Sequence, residues 1–221
     1  VPISTISQIY GTVLPMNTRD KIIETAIRLF NDKGTKPVTT NHIAAECDIS
    51  PGNLYYHFRN KEAIIRAIFE QMTQVSVRDY GAIASQHEPG TPEAIASTFA
   101  FIQHFNWRYR FFKRELTVLV MADPLLGEQF RATNDIMRRM IRDAIEGVVA
   151  AGRLTQLTEH EIELFVDAVW TLALFWVNYL EVGGEEVNDA TLARGNEVLH
   201  MIMAPYLTGN DAATTGAGIA R

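Results

Sequence analysis

From Ile162 to Leu180 the chain is apolar nearly all the way round: Phe165, Val166, Val169, Trp170, Leu172, Ala173, Leu174, Phe175, Trp176 and Val177 fall on every side of a 3.6-residue period. A helix of that kind cannot rest on a surface with one face in water. It must be covered on at least two sides, and the rest of the chain has to supply partners. Those partners also read as helices, and no stretch alternates convincingly as a strand, so the fold class is all-α. The longest apolar run, Leu164 to Val177, is interrupted by Asp167 and Thr171 and falls short of the ~20 residues that cross a bilayer. It is expected to be a buried helix, with no membrane as partner. The single cysteine, Cys47, excludes an internal disulfide framework, and no basic start followed by an apolar stretch and a cleavage site is seen. A cytoplasmic protein is expected.

The N-terminal part punctuates differently. From Thr18 the positions Ile22, Ile23, Ala26, Leu29 and Phe30 recur at three- and four-residue steps, and Gly34 stops them, which predicts a first helix. Thr39 and Thr40 cap a second, two-turn helix that carries Ile43 and Ala44 inward and ends near Cys47. Asp48 and Ile49 form a tight connection. Ser50 then caps a third helix with Pro51 at its first position, where the missing N–H costs nothing, and this helix runs to about His57. After Arg59-Asn60 a longer amphipathic helix opens at Lys61 and carries Ile64, Ile65, Ile68, Phe69 and Met72.

Two short helices joined by a turn of three or four residues form a unit whose second helix fits the major groove of DNA, about 12 Å wide. In the third helix Leu54 and Phe58 pack inward, which leaves Pro51, Gly52, Asn53, Tyr55, Tyr56 and His57 to face outward or flank the groove. Asn53 can donate to and accept from a base edge, while the tyrosine hydroxyls, His57, Lys61 and Thr40 can bond phosphate oxygens. The net charge of −6 looks wrong for a DNA binder until it is resolved by segment: residues 1–70 hold eight Lys and Arg against seven Asp and Glu. Acid is thus concentrated in the remainder, and the N-terminal end is free to approach phosphates.

The run Thr39-Thr40-x-x-Ile43-Ala44, followed by Ile49-Ser50-x-Gly52-x-Leu54-Tyr55-Tyr56-His57-Phe58-x-x-Lys61-Glu62, resembles the signature of the TetR family of bacterial transcriptional regulators. The resemblance covers about Thr18 to Phe69. It implies Pro51, Gly52, Asn53, Tyr55 and Tyr56 as recognition-helix contacts, with Thr40, His57 and Lys61 on the phosphate backbone. One departure stands out: Cys47-Asp48 occupies the turn where the family has Ala-Gly. Asp accepts a left-handed backbone better than most residues, so the turn is expected to survive.

The resemblance also implies a ligand cavity and a dimer interface in the body. For the interface the all-round apolar helix offers Val166, Val169, Ala173 and Trp176, and a following helix offers Leu192, Leu199 and Met203, which together complete a four-helix contact between two copies. A homodimer with recognition helices about 34 to 36 Å apart would read a palindromic operator in double-stranded DNA. For the cavity, the stretch FAFIQHFNWRYRFFKREL supplies Phe101, Gln103, His104, Phe105, Trp107, Tyr109 and Phe112, joined by Trp170, Asn178 and Tyr179, although aromatics at helical spacing are as a rule core. The effector is an unidentified small, largely apolar molecule.

No nucleophile beside a base, phosphate loop or metal cluster occurs at a recognised spacing, and the six histidines are scattered singly, so no enzyme activity, cofactor or metal is expected. A helical protein-binding adaptor, or a regulator that needs a co-ligand to bind DNA, is the alternative. The expected division is a flexible tail over 1–17, with Met16 an equally good start; a helix-turn-helix domain over 18–62; a ligand-binding and dimerising helical domain over 63–207; and a disordered tail over 208–221.

Overall fold

The described part of this computed structural model comprises residues 17–88 and 91–208. The two expected tails lie outside it, apart from Asn17 and Thr208, and both of these make structural bonds; Pro89 and Gly90 also lie outside it. Asn17 accepts the Asp20 N–H at 2.9 Å as the N-cap of the first helix, and the Thr208 N–H donates to the Arg153 carbonyl at 3.0 Å.

Nine α-helices are found among the described residues: α1 (Thr18–Lys33), α2 (Thr40–Glu46), α3 (Pro51–His57), α4 (Lys61–Ala84), α5 (Pro92–Arg108), α6 (Arg110–Ala122), α7 (Pro124–Ala150), α8 (Glu159–Val182) and α9 (Asp189–Met203). A 3₁₀ turn over Ala204–Tyr206 follows, and the only β pairing among these residues is a single bridge between Leu154 and Leu207. Most starts are written locally. Thr39 with His42, Thr158 with Glu161 and Asn188 with Thr191 form reciprocal capping boxes, and Ser50 caps α3 with Pro51 in its first turn. Asp123 caps α7 through its side chain, accepting the Leu125 N–H at 3.1 Å.

The chain divides into two units, and the division falls inside α4, α5 and α7. The first unit runs to Arg78 and includes Asn106–Phe130; the second comprises Asp79–Phe105 and the chain from Arg131. Residues 106–130 therefore share a unit with the three N-terminal helices. The core of the first unit is made by Ile22, Ile23, Phe30, Ile43, Leu54, Ile64, Ile68, Tyr109, Phe111 and Phe112, all essentially without exposure. Phe30 meets Phe111 at 5.2 Å between ring centroids, and Phe69 stacks on Phe112 at 5.1 Å.

In the second unit Phe99, Ile145, Val148, Leu154, Phe165, Val166, Leu199 and Met203 form one buried cluster. At Gly195 of α9 a Cβ would stand 2.7 Å from the Phe99 ring and 2.9 Å from Trp176, so glycine is what lets α9 come this close. α8 is longer than the apolar run alone suggests, and by length and composition it could cross a membrane. In this structure Phe165, Val166, Ala173, Leu174, Trp176, Val177 and Leu180 of the helix are buried in its own unit, which makes it a core helix with one covered side.

Candidate nucleic-acid interface

α3 is anchored by two residues and exposes the rest. Leu54 has no exposure and Phe58 has 5%, whereas Tyr55 is 51% and Tyr56 84% exposed, and Pro51, Gly52 and Asn53 are exposed as well. His57 is half-buried, with its ring edge-on to Tyr56 at 5.2 Å. Two large tyrosines side by side in water are costly for a surface with nothing to bind. The Tyr55 hydroxyl lies 3.2 Å from the Thr40 hydroxyl, so the first turn of α2 and the outer face of α3 present their polar groups together.

The turn between α2 and α3 depends on one residue. Asp48 has φ of 54°, in the left-handed region, and its N–H donates to the Ala45 carbonyl while Ile49 N–H donates to Ala44, each at 3.1 Å. The departure from glycine at this position therefore leaves the turn geometry in place. Beneath it Cys47 is fully buried, with its thiol directed at the Lys21 carbonyl at 3.7 Å, where it packs as a small apolar residue.

Lys61, expected on the phosphate backbone, also has bonds within its own unit. Its ammonium donates to the Thr35 carbonyl at 2.6 Å and the Val38 carbonyl at 3.1 Å, which commits two of its three N–H groups to the loop between α1 and α2. It fastens that loop, with one donor left over.

A set of polar contacts that sequence reasoning missed holds α1 to α5 and α6 within the first unit. Asn31 of α1 donates to the Arg108 carbonyl at 2.8 Å and accepts the Phe111 N–H at 3.0 Å. Tyr109, the residue between α5 and α6, gives no side-chain cap, so Asn31 serves both helix ends across more than seventy residues of sequence. The Glu115 carboxylate accepts the Thr35 N–H at 2.8 Å and its hydroxyl at 2.5 Å, Arg108 donates to both oxygens of Glu24 at 2.9 Å, and Arg66 pairs with Asp123. Only their placement on otherwise apolar stripes could have flagged them: Asn31 continues the buried series Ile23, Ile27.

The residues expected at a ligand cavity fall into both units. Trp107, Tyr109 and Phe112 belong to the first, where Tyr109 and Phe112 have no exposure and Trp107 lies under the Arg110 guanidinium at 4.5 Å. Burial pushes the Tyr109 hydroxyl pKa up, with Arg108 opposing it. Phe101, Gln103, His104, Phe105, Trp170, Asn178 and Tyr179 belong to the second. There Gln103 has no exposure, Phe101 lies 6.2 Å from Phe105 between centroids, and the Trp170 indole donates to Asn134 at 2.6 Å.

The expected dimer residues sit in the interior of the second unit. Val166, Ala173, Trp176, Leu192, Leu199 and Met203 are each under 9% exposed, with Val169 half-buried, so these side chains have little surface to give a partner. The apolar surface of α8 is carried instead by Leu164 (53%), Phe175 (42%), Tyr179 (61%) and Val182 (90%). Along it runs an open, apolar groove of about 550 Å³ lined by Ala168, Thr171, Leu172, Phe175, Tyr179 and Ile202 among others. Beside the groove Arg138 and Arg142 of α7 pair with Glu163, and no group of three or more His, Cys, Asp or Glu that could hold a metal occurs among the described residues.

Both the N-terminal helices and the body match known proteins. Residues 22–68 match the family model described as bacterial regulatory proteins, tetR family, and residues 74–214 match one described as bacterial transcriptional repressor. An uncharacterized HTH-type transcriptional regulator, YerO, of Bacillus subtilis (strain 168) is 42% identical over 110 residues, which is 50% of this chain and 37% of YerO. The HTH-type transcriptional regulator UidR of Escherichia coli (strain K12) is 43% identical over 54 residues, 24% of this chain and 28% of UidR. The matched stretches thus span well under half the length of these relatives. Among solved structures, a TetR-family transcriptional regulator from Marinobacter aquaeolei VT8 superimposes with a TM-score of 0.79 at 32% identity, covering 91% of this chain and 98% of that one. SmeT, solved as a complex with triclosan, gives a TM-score of 0.63 at 18% identity over 88% of this chain and 93% of its own.

Proposed function

Because the chain belongs to the TetR family of bacterial transcriptional regulators, we propose that it is a homodimeric, sequence-specific repressor, released from a palindromic operator by a small, largely apolar effector. The observation that carries this reading is the outer face of α3, where Asn53, Tyr55 and Tyr56 stand exposed over the Leu54 and Phe58 anchor. Inserted in a major groove, Asn53 reads a base edge, and Gly52 with Pro51 lets the helix start approach the bases closely. The Thr40 and Tyr55 hydroxyls, His57, Tyr56 and the remaining donor of Lys61 face phosphates, which fix register without reading sequence. Thr40 and Tyr55 also steady each other.

One copy of α3 covers too few base pairs to bind tightly. The uncovered side of α8, with Leu164, Phe175, Tyr179 and Val182, is the surface on which a second copy seats, and burying it satisfies the requirement that this helix be covered twice. Two tethered α3 helices then engage two half-sites, with a gain of order 10² to 10⁴ over one. An effector that changes their separation by a few ångströms forfeits that gain. A small-molecule effector is in keeping with the triclosan complex of SmeT, which shares the fold.

Selection from random-sequence duplexes at moderate salt, followed by sequencing of the retained pool, tests the proposal. The expected result is a palindrome with half-sites about one helical turn apart. An asymmetric site would remove the dimer from the proposal, and no enrichment even at low salt would remove DNA as the partner.

A further inference from the structure

The effector-controlled reading leaves open which chemical group the effector presents, and one side chain of the second unit bears on this. Gln103 of α5 is completely buried, yet neither its amide oxygen nor its amide nitrogen has a hydrogen-bond partner. Nδ1 of the adjacent His104 is likewise buried without a partner. Native interiors leave very few polar atoms unpaired, and each costs a sizeable part of a domain's narrow margin of stability, so a whole unpaired amide calls for something that completes it.

The surroundings say what kind of group that is. Gln103 stands one helical turn beyond Phe99, whose ring crowds Gly195 together with Trp176, so the amide is a polar point on an aromatic stripe. An amide offers an acceptor and donors side by side, and its complement carries a donor next to an acceptor. Negative charge is disfavoured: burial pushes the His104 pKa down, which keeps the imidazole neutral, and the side-chain charge that opposes this shift is the Asp189 carboxylate. An anionic head group would meet an acid there.

We infer that the effector is a neutral, largely apolar molecule with one carboxamide or lactam edge, whose N–H donates to Gln103 Oε1 and whose carbonyl accepts from Gln103 Nε2. This assignment rests on the effector-controlled reading proposed above and deepens it.

The probe is benzamide, with benzoate and toluene as its charged and purely apolar counterparts, added to the full-length protein without DNA. The Gln103 side-chain NH₂ signals are identified in a ¹⁵N–¹H spectrum by their loss in Gln103→Leu. Benzamide is expected to move those signals saturably and to raise the melting midpoint of the wild type but not of Gln103→Leu or Gln103→Met, while benzoate and toluene do neither. Without ligand, Gln103→Leu is expected to melt higher than the wild type, because it removes two unpaired polar atoms and keeps the volume. Unmoved NH₂ signals up to the solubility limit of benzamide, or equal responses to benzoate or toluene, would overturn the inference. A lower midpoint for both unliganded variants would also overturn it, since it would mean that resident water already completes the amide. None of these readouts involves DNA, so their failure leaves operator binding standing, and failure to find an operator leaves them unaffected.

Discussion

Replacing Asn31 by Leu should disconnect α1 from the α5–α6 junction. The wild-type amide donates to the Arg108 carbonyl at 2.8 Å, the last residue of α5, and accepts the N–H of Phe111, the second residue of α6, at 3.0 Å. Both backbone groups belong to helix ends with no partner of their own. Leucine has similar volume and no polar atoms, so the variant loses two hydrogen bonds worth about 1 kcal/mol each and strands a buried N–H and a buried carbonyl at about 1 kcal/mol or more apiece. Allowing for some relief from burying leucine, the expected loss is about 3 kcal/mol. For a chain of this length that corresponds to a fall of roughly 6 to 12 °C in the melting midpoint.

Urea unfolding followed by circular dichroism gives the free energy, and Asn31→Asp separates the two ends. Aspartate keeps the acceptor for Phe111, where a negative charge at a helix N-terminus is favourable, but it sets an oxygen against the Arg108 carbonyl; its loss should fall between those of the wild type and Asn31→Leu. A loss below about 1 kcal/mol for Asn31→Leu would refute the reasoning, because the Arg108 carbonyl and the Phe111 N–H would then find other partners.

Further outcomes are expected. Asn53→Ala should relax base preference at one operator position by about 1 to 3 kcal/mol, read by competition between operator variants, while Lys61→Ala should weaken all sequences alike and also lower the melting midpoint, since it frees the Thr35–Val38 loop. Phe175→Glu, which puts a charge on the uncovered face of α8, should yield monomers in sedimentation velocity and reduce operator affinity by order 10² or more. Gly195→Ala should cost about 1 to 3 kcal/mol in urea unfolding despite the better helix propensity of alanine, because the new methyl meets the Phe99 and Trp176 rings. Burial lowers the Lys113 pKa to about 8 in the folded chain, so between pH 8 and the unfolded value near 10.4 the unfolded state binds more protons and stability rises with pH. That rise, of order 3 kcal/mol in total, should be missing from Lys113→Met in parallel urea titrations.

The N-terminal helices were legible in the sequence because their boundaries are set within a few residues. Gly34 at φ 78°, Ser50 capping Asn53 and Pro51 in the first turn of α3 are local devices, and each sits where the residue types predict. The outward face of α3 was legible for a related reason: once Leu54 and Phe58 are assigned inward, the period leaves Asn53, Tyr55 and Tyr56 no other side. Lys61 was less legible. A lysine at the head of a helix reads as a phosphate ligand, and nothing nearby reveals that the Thr35 and Val38 carbonyls fold back onto its ammonium.

The body fails for a different reason, and α8 shows it most clearly. Periodicity finds the inward face of a helix by contrast between apolar and polar positions, and a helix that is apolar all round has no contrast to phase. Val166, Ala173 and Trp176 were equally eligible with Leu164, Phe175 and Tyr179, and it is packing within the unit that makes the first set interior, with Val166 in the cluster of Ile145, Val148 and Leu199 and Trp176 against Gly195. The aromatic stretch from Phe99 to Leu116 misleads similarly. It reads as one lining, but the division between units falls inside α5, after Phe105, which leaves Phe101 and Phe105 in one unit and Trp107, Tyr109 and Phe112 in the other, and the chain turns again at Tyr109 (φ −109°, ψ 34°). That turn is held by Asn31, more than seventy residues earlier. The usable signal in such regions is the polar exception on an apolar stripe, as Asn31 follows Ile23 and Ile27 and Gln103 follows Phe99. Asn31 is bonded within the protein at both its amide nitrogen and its amide oxygen, whereas neither amide atom of Gln103 has a partner, and this difference separates a residue that holds the fold from the one proposed to meet a ligand.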